Sequence, residues 1–378
     1  MATGDIQNSS LYMKPFLRRV AKLYSQVPTD GTGDFTVARN SVATYRNSAG
    51  LIASVLANVP RFEWEVDGSC PYYKSEPQRT NNFTYSNDFS NVAWIKAGAT
   101  ITQNYATAPD GTTTATRVQF AAGSWFFYQL VSLTISLDYT HGFYIKSNGG
   151  GLDTFRLYGQ STGSNMTATN EWVRYSKTIT ASATGLADFG IRADSVNAGL
   201  DILIWQSAHE QGEYLTSQID CPTVASTRLK DEINIADIVT PNVMQGTNWT
   251  LHFDKKATND VGTLSADDSV FRFLLSSVLK ISIERYRDDS LRVYNYNDAV
   301  YMLGGTDGGT WSDAFTFSIT YDNGDWIFYR DGVQVGTYSE TLTTSLDELD
   351  VYCTYGSLNL GRLISFPETL TPTQIASL

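Results

Sequence analysis

Apolar and polar positions alternate along most of the chain with a period of two, the signature of strands with one face buried. Phe143 and Ile145 alternate with Tyr144 and Lys146, and Phe155 and Leu157 follow the same rule. Val173, Tyr175 and Ile179 continue it, then Phe189 with Ile191 and Ile202 with Ile204. Further on, Phe315, Phe317, Ile319 and Tyr321 line one strand face, and Asp322-Asn323-Gly324-Asp325 reads as a turn before a strand from Trp326 to Arg330. Asp331-Gly332 supplies the next hairpin turn, with Val333 and Val335 opening the return strand. Thr371-Pro372-Thr373-Gln374 combines a capping box with Pro at the first helical position, which predicts a short closing helix. The expected fold class is therefore all-β, with tandem antiparallel β-sandwiches of jelly-roll type.

The pattern divides the chain. Residues 81–222 and 233–378 each carry enough alternating segments for a sandwich, and residues 223–232 read as a linker. Residues 1–80 have less periodicity, with Gly31, Gly33, Gly50 and Gly68 between short extended pieces such as Asp34–Arg39, and are expected to form a small N-terminal attachment region or collar. Within it, Ser10 is placed to cap a short helix carrying Leu17, Val20, Ala21 and Tyr24, with Pro15 in its first turns. Lys14, Arg18, Arg19 and Lys22 make residues 1–30 net +2 against −14 for the remainder. The set reads either as a surface helix or as an attachment arm for an acidic partner surface, in which case deleting residues 1–30 leaves both sandwiches folded.

Composition narrows the function. Charged residues are 17% of the 378, below the usual ~25%, and 42% are hydrophobic, enough for a core in each domain. The net charge of −12 argues against a nucleic-acid partner. No apolar run of ~18 residues predicts membrane insertion, and the opening MATGDIQNSS lacks a signal-peptide layout, so synthesis in a cytoplasm is expected. Cys70, Cys221 and Cys353 are odd in number and widely spaced, as free thiols are.

Candidate chemistry is sparse. His141, His209 and His252 lie in no nucleophile motif, and no catalytic residue is assigned. Glu63 with Glu65, and Asp347 with Glu348 and Asp350, are acidic neighbours that solvated surface explains. No cofactor and no protein metal site is assigned. Calcium is weighed at Asp267-Asp268, Asp288-Asp289 and Asp322-Asn323-x-Asp325, the last also an ordinary β-turn. Sugar binding requires exposed aromatic faces beside polar groups. Trp125-Phe126-Phe127-Tyr128 places aromatics on both faces of one strand, with Trp125 and Phe127 as carbohydrate-binding candidates. Tyr294, Tyr296, Tyr301 and Trp311 form a second set; core packing, or burial against a neighbouring subunit, is the alternative for both.

Three ordered stretches carry a resemblance. The first runs from Phe35-Thr36-Val37-Ala38-Arg39 through Ala43-Thr44-Tyr45 and Gly50-Leu51-Ile52 to Pro60-Arg61-Phe62. The second contains Glu76-Pro77-Gln78-Arg79-Thr80-Asn81, Tyr85-Ser86, Asp88-Phe89-Ser90, Trp94 and Ala108-Pro109-Asp110-Gly111-Thr112. The third is Trp205-Gln206-Ser207-Ala208-His209-Glu210 with Gly212, Thr216-Ser217, Ile219, Pro222 and Thr227-Arg228. Together they resemble a family of bacteriophage tail-fibre and head-fibre appendage proteins whose shared block holds a carbohydrate-binding-module-like sandwich. The stretch Pro71-Tyr72-Tyr73-Lys74-Ser75 is less apolar than the family's, and Gln218-Ile219-Asp220-Cys221-Pro222-Thr223 departs from its Tyr-Ile-Pro-Thr. Trp326-Ile327-Phe328-Tyr329-Arg330-Asp331-Gly332, Leu358-Asn359-Leu360-Gly361-Arg362 and Leu370-Thr371-Pro372 resemble concanavalin A-like (laminin-G-like) jelly rolls. The resemblance implies a non-enzymatic structural protein of the virion, partnered by other phage structural proteins, adhering to host surface polysaccharide and forming a homotrimer. The high aromatic content, 13%, supports the last expectation through interface burial. A glycan-active depolymerase and a secreted bacterial lectin are the alternatives.

Overall fold

A computed structural model describes residues 8–14, 18–65, 68, 70–123, 125–149, 153–160, 162–193, 199–258, 264, 266–305, 308–342 and 346–378. Strands dominate, and the closing helix Pro372–Ser377 forms where the capping box predicts it: the Thr371 side chain accepts from the Gln374 N–H, and the Gln374 side-chain oxygen accepts from the Thr371 backbone N–H. The all-β sandwich reading holds.

The chain folds as two compact units, one of residues 1–50, 54–78 and 229–378, the other of 51–53 and 79–228. This division corrects the expected one. The N-terminal segment is no separate collar: its strands complete both sheets of the C-terminal sandwich. In the nine-stranded sheet the order is Arg18–Arg19, Lys22–Leu23, Phe35–Ala38, Glu232–Ile235, Glu348–Tyr352, Asp268–Leu275, Val278–Arg285, Leu291–Asn295, Val300–Leu303. The opposing eight-stranded sheet runs Val333–Ser339, Asp325–Arg330, Phe315–Asp322, Asn248–Lys256, Leu358–Phe366, Tyr72–Ser75, Phe62–Glu63, with Leu11–Met13 also pairing Leu358–Phe366. Leu11, Met13, Leu23 and Phe35 are wholly buried in one core with Trp249, Phe253, Phe271, Phe317 and Val351. The expected helix after Ser10 is replaced by short strands, because Leu11, Met13 and Leu23 are buried as sheet residues; Pro15 and Leu17 lie outside the described residues.

The second unit packs two five-stranded sheets. One runs Ile95–Ala97, Trp125–Leu133, Gly185–Ala193, Asp153–Gly159, Thr162–Ala168; the other Ala99–Ala106, Ala115–Phe120, Asp201–Gln211, Asp138–Ser147, Val173–Thr180. Phe143, Ile145, Phe155, Leu157, Phe189, Ile191, Ile202 and Ile204 meet between them, as the alternation predicts. The expected linker is not loose either: Ser226–Arg228 pairs with Arg79–Asn81, and Arg228 and Asp231 are buried.

Both predicted hairpins form. Asn323 and Gly324 take positive φ (50° and 107°), as do Asp331 and Gly332 (51° and 75°), the backbone of two-residue turns that match strand twist.

Candidate carbohydrate-binding face

The outward face of the nine-stranded sheet collects polar and aromatic side chains because its other face holds Ile233, Val351, Phe271, Phe273, Ile281, Ile283 and Val293 in the core. Register places Thr36, Asn234, Asp350, Arg272, Ser282, Tyr294 and Tyr301 opposite one another in a single row across seven strands. At the usual strand spacing the row is roughly 29 Å long.

Tyrosines gather at one end. Tyr294 lies 4.7 Å from Tyr296 and 4.8 Å from Tyr301, ring to ring, and Tyr286 is 6.1 Å from Tyr301. Tyr296 and Tyr301 remain 41% and 39% exposed, enough to present ring surface to a ligand. The Arg292 guanidinium stacks 3.4 Å from the Tyr286 ring centroid and is paired with Asp288 at 2.9 Å. Beneath them Glu284 is nearly buried, one carboxylate oxygen accepting from Ser282 (2.6 Å), Ser269 (3.0 Å) and the Tyr296 hydroxyl (3.1 Å). Those bonds fix the tyrosine rim. Burial pushes the Tyr301 hydroxyl up to about 12, helped by Glu284, so it stays a neutral donor at physiological pH.

The middle of the row is charged. Asn234 donates to Glu348 (2.7 Å) and Asp350 (2.5 Å). Burial raises the Asp350 carboxyl above its ordinary value, the Asn234 bond opposing it and Glu232 adding to it. Arg272 sits 4.9 Å and Lys230 3.6 Å from the Tyr352 ring centroid. A pyranose has an apolar face and a hydroxyl rim; rings flanked by fixed carboxylates and guanidinium groups suit both.

Of the sequence candidates, Tyr294 and Tyr296 stand on this face and Trp311 does not. Trp311 is wholly buried, edge-on to Phe315 at 5.8 Å, because its loop folds into the core. Phe127 is also corrected: it is fully buried, stacked on Trp94 at 4.8 Å. Trp125 is half-buried and covers Gly98, where a Cβ would fall 2.0 Å from its ring. The outward residues of that strand are Phe126 and Tyr128, one step out of phase. Alternation shows that two faces exist, but packing against residues distant in the pattern, Phe89 and Trp94 among them, decides which one is inside.

The basic set is used locally. Arg18 donates to the Pro60 carbonyl and lies over the Phe62 ring, 4.9 Å to its centroid. Lys22 pairs with Asp34 at 2.8 Å, and Arg19 lies 5.7 Å from the Tyr24 ring centroid. Lys14 is half-buried beside them in sequence.

The calcium candidates are committed elsewhere. Asp268 accepts N–H bonds from Thr354, Tyr355 and Gly356. Asp289 holds Arg285 and Ser312, Asp288 holds Ser290 and Arg292, and Asp267 holds Arg287. Asp322 accepts from Asn323, and Asp325 from Ser339. Among the described residues no three His, Cys, Asp or Glu side chains converge as metal ligands. Among the described residues Cys70, Cys221 and Cys353 form no disulfide.

One array was not foreseen. His252 lies 2.8 Å through Nδ1 from Ser318 Oγ and 2.9 Å through Nε2 from Asp254 Oδ1. These are the atoms of a nucleophilic relay, yet Ser318 and His252 are 2% and 1% exposed. They occupy a cross-strand row, Tyr12, Ile364, His252, Ser318, Tyr329, that the residues of the closing helix help to cover. Ser318 sits in a strand paired on both sides, so its backbone serves the ladder and not an oxyanion.

No family model matches the chain, and no curated protein matches it. Among solved structures, the chain is similar to domain 4 of AbnA, an extracellular arabinanase from Geobacillus stearothermophilus seen with arabinotriose, at 14% identity and TM-score 0.31, covering 44% of this chain and 81% of that one. It is similar to the CBM22-1–CBM22-2 tandem domain of Xyn10C from Paenibacillus barcinonensis at 9% identity and TM-score 0.27, covering 76% and 96%. It is also similar to the receptor-binding domain of botulinum neurotoxin type G at 12% identity and TM-score 0.28, covering 39% of this chain and 38% of that one. Both measures are low throughout, and they assign the chain to no family.

Proposed function

We propose that the chain is a non-catalytic glycan-binding protein that works as an adhesive, structural part of a phage appendage. One observation carries the binding half: a row of seven outward side chains ending in tyrosines 4.7–4.8 Å apart, over a carboxylate held by three hydroxyls. The ordered motif set in residues 35–228 supports the appendage half. Host surface polysaccharide is the partner that an aromatic and hydroxyl-bonding face would meet.

The test is titration of full-length protein with fragments of host surface polysaccharide. Tyr294→Ala and Tyr301→Ala should each weaken binding at least tenfold with unchanged melting. Undiminished binding by both variants overturns the assignment of this face. Incubation with the intact polysaccharide should release no new reducing ends; release that a single carboxylate substitution abolishes would favour the depolymerase reading.

A further inference from the structure

One end of the second unit is built from two connections: residues 134–137, between strands Trp125–Leu133 and Asp138–Ser147, and residues 181–184, between Val173–Thr180 and Gly185–Ala193. No charged residue occurs from Leu130 to Leu137 or from Ala181 to Ala187, in a chain where 17% of residues are charged. Large aliphatic side chains are left in solvent there: Leu130 (50% exposed), Ile135 (52%), Leu137 (36%) and Leu186 (69%). Register sets Leu130 opposite Asp188 and Ser132 opposite Leu186, while Val131, Leu133 and Phe189 go to the core, so Leu130 and Leu186 share one outward face. The two connections are tied together. Ser136 N–H donates to the Ala181 carbonyl at 2.8 Å, Ala181 N–H to the Leu137 carbonyl at 2.9 Å, and Ile135 N–H to the Thr184 hydroxyl at 3.0 Å.

Two properties decide what can cover this tip. The first is its backbone. Thr134 N–H donates to the Tyr139 hydroxyl at 3.0 Å and Leu137 N–H to the Thr134 carbonyl at 3.3 Å, so every N–H of the 134–137 connection is bonded inside the protein. Leaving water orphans none of those donors, which is the condition for entering hydrocarbon. The second is its size. The aliphatic set falls well short of the ~20–30 residues a side of a stable protein–protein interface. It matches shallow insertion instead. Leu130, the outward leucine farthest from the tip on its strand, lies about 10 Å from Leu133, and apolar groups at a lipid interface sit ~5–10 Å deep. The first charged residues, Asp138 and Asp188, stand at the margin, with Asp138 accepting from the Thr180 hydroxyl at 2.6 Å. Those carboxylates, on an acidic chain, disfavour an anionic lipid surface and leave a neutral one open.

We propose that this tip is a peripheral membrane contact, in which Leu130, Ile135, Leu137 and Leu186 enter the outer hydrocarbon of a zwitterionic lipid layer and the hydroxyls of Ser132, Thr134 and Ser136 meet its headgroups. The contact needs no spanning segment. It shares no residue with the tyrosine-lined face of the other unit and does not depend on the function assigned there.

Co-sedimentation of the full chain with phosphatidylcholine vesicles tests it, with phosphatidylglycerol vesicles as the anionic comparison. The protein should sediment with phosphatidylcholine, and high salt should not release it, because the attraction is apolar. Ile135→Asp and Leu186→Asp should each weaken the partition at least tenfold with unchanged melting. Tyr294→Ala and Val278→Asp, the latter at an exposed aliphatic of the other unit, should leave it as it is. If Leu186→Asp, which lies in a strand, does not fold, Ile135→Asp and Leu137→Ser in the connection carry the test. The proposal is overturned if the native chain stays in the supernatant, or if it sediments with phosphatidylglycerol alone and high salt releases it. An equal loss in Val278→Asp would mean general surface apolarity and overturns it too. Self-association in light scattering that Ile135→Asp abolishes, without vesicle binding, would make a second copy of the chain the occupant and overturn it equally.

Discussion

Arg61 and Asp231, 170 residues apart, form a two-pronged ion pair with both side chains at most 2% exposed. Arg61 also donates to Glu76 at 2.8 Å, and Arg39 donates to Asp231 at 2.7 Å. Burial disfavours the Arg61 charge, but Asp231 and Glu76 outweigh it and raise the guanidinium above its ordinary value. The cluster ties Pro60-Arg61-Phe62 and Glu76 to the stretch where the chain returns at Leu229, so those segments are held by charge as well as by sheet pairing. Asp231→Ala leaves Arg39 and Arg61 buried beside one less carboxylate. The expected cost is about 3–5 kcal/mol, read as a lowered urea midpoint; a change below about 1 kcal/mol would show the cluster to be dispensable.

The N-terminal segment supplies side chains to the core of the first unit. A chain lacking residues 1–38 loses the buried side chains of Leu11, Met13, Leu23, Phe35 and Val37 from the first unit. At ~1.5–3 kcal/mol for each, the loss matches the whole ~5–15 kcal/mol of a typical domain. The truncated protein should lose its near-ultraviolet circular dichroism from that unit and be cleaved rapidly by protease. Unchanged melting of the truncated chain would mean that the strands are accessory to the fold.

Acid should destabilise the second unit before most carboxylates titrate. His141 and His209 are cross-strand partners, packed edge-on to Phe189 at 5.1 and 4.3 Å. Burial lowers both to about 3, with His209 and then Lys177 adding to the effect at His141. Unfolded histidine titrates near ~6.5. The folded value is the depressed one, so the stabilising contribution is complete above ~6.5 and is lost as pH falls toward about 3. Each histidine adds a slope of up to ~1.4 kcal/mol per pH unit. Urea midpoints between pH 7 and 5 should fall for the native protein and fall less for His209→Phe. Equal slopes in the two proteins would refute the assignment.

Much of the fold is written in local pattern, and the site much less so. The hairpins at Asn323-Gly324 and Asp331-Gly332 and the cap at Thr371 are short-range chemistry and were readable directly. The tyrosines at 294, 296 and 301 were readable as a cluster, but their alignment with Asn234, Asp350 and Arg272 comes from long-range register. The sequence points to Phe127 over Phe126 and Tyr128 because a period of two has two phases, and the choice between them is made by long-range packing of Phe127 against Phe89 and Trp94. The aromatic content, taken as a sign of interfaces, mostly fills two cores: among the described residues the exposed large aromatics are Tyr105, Tyr296, Tyr301 and Tyr355. Light scattering measures the expected trimer, against 41.8 kDa for one chain.

The relay at Ser318, His252 and Asp254 separates a structural from a catalytic reading. Asp254 is disfavoured by burial but held below its ordinary value by hydrogen bonds from His252 and Arg362. Its role is thus to satisfy a buried imidazole and a guanidinium that also donates to the Leu378 carbonyl at 2.7 Å. A serine nucleophile needs substrate access and a pair of N–H donors for the developing oxyanion. Ser318 has neither, lying between His252 and Tyr329 in a row closed by Tyr12 and Ile364. Native protein should therefore not react with a fluorophosphonate probe. Ser318→Ala should leave His252 Nδ1 short of a partner and cost about 1–3 kcal/mol of stability, with glycan binding on the tyrosine face unchanged. Labelling of the native chain that disappears in Ser318→Ala would overturn this reading, because it requires a reactive hydroxyl at a position that the fold otherwise uses only as a buried hydrogen-bond partner.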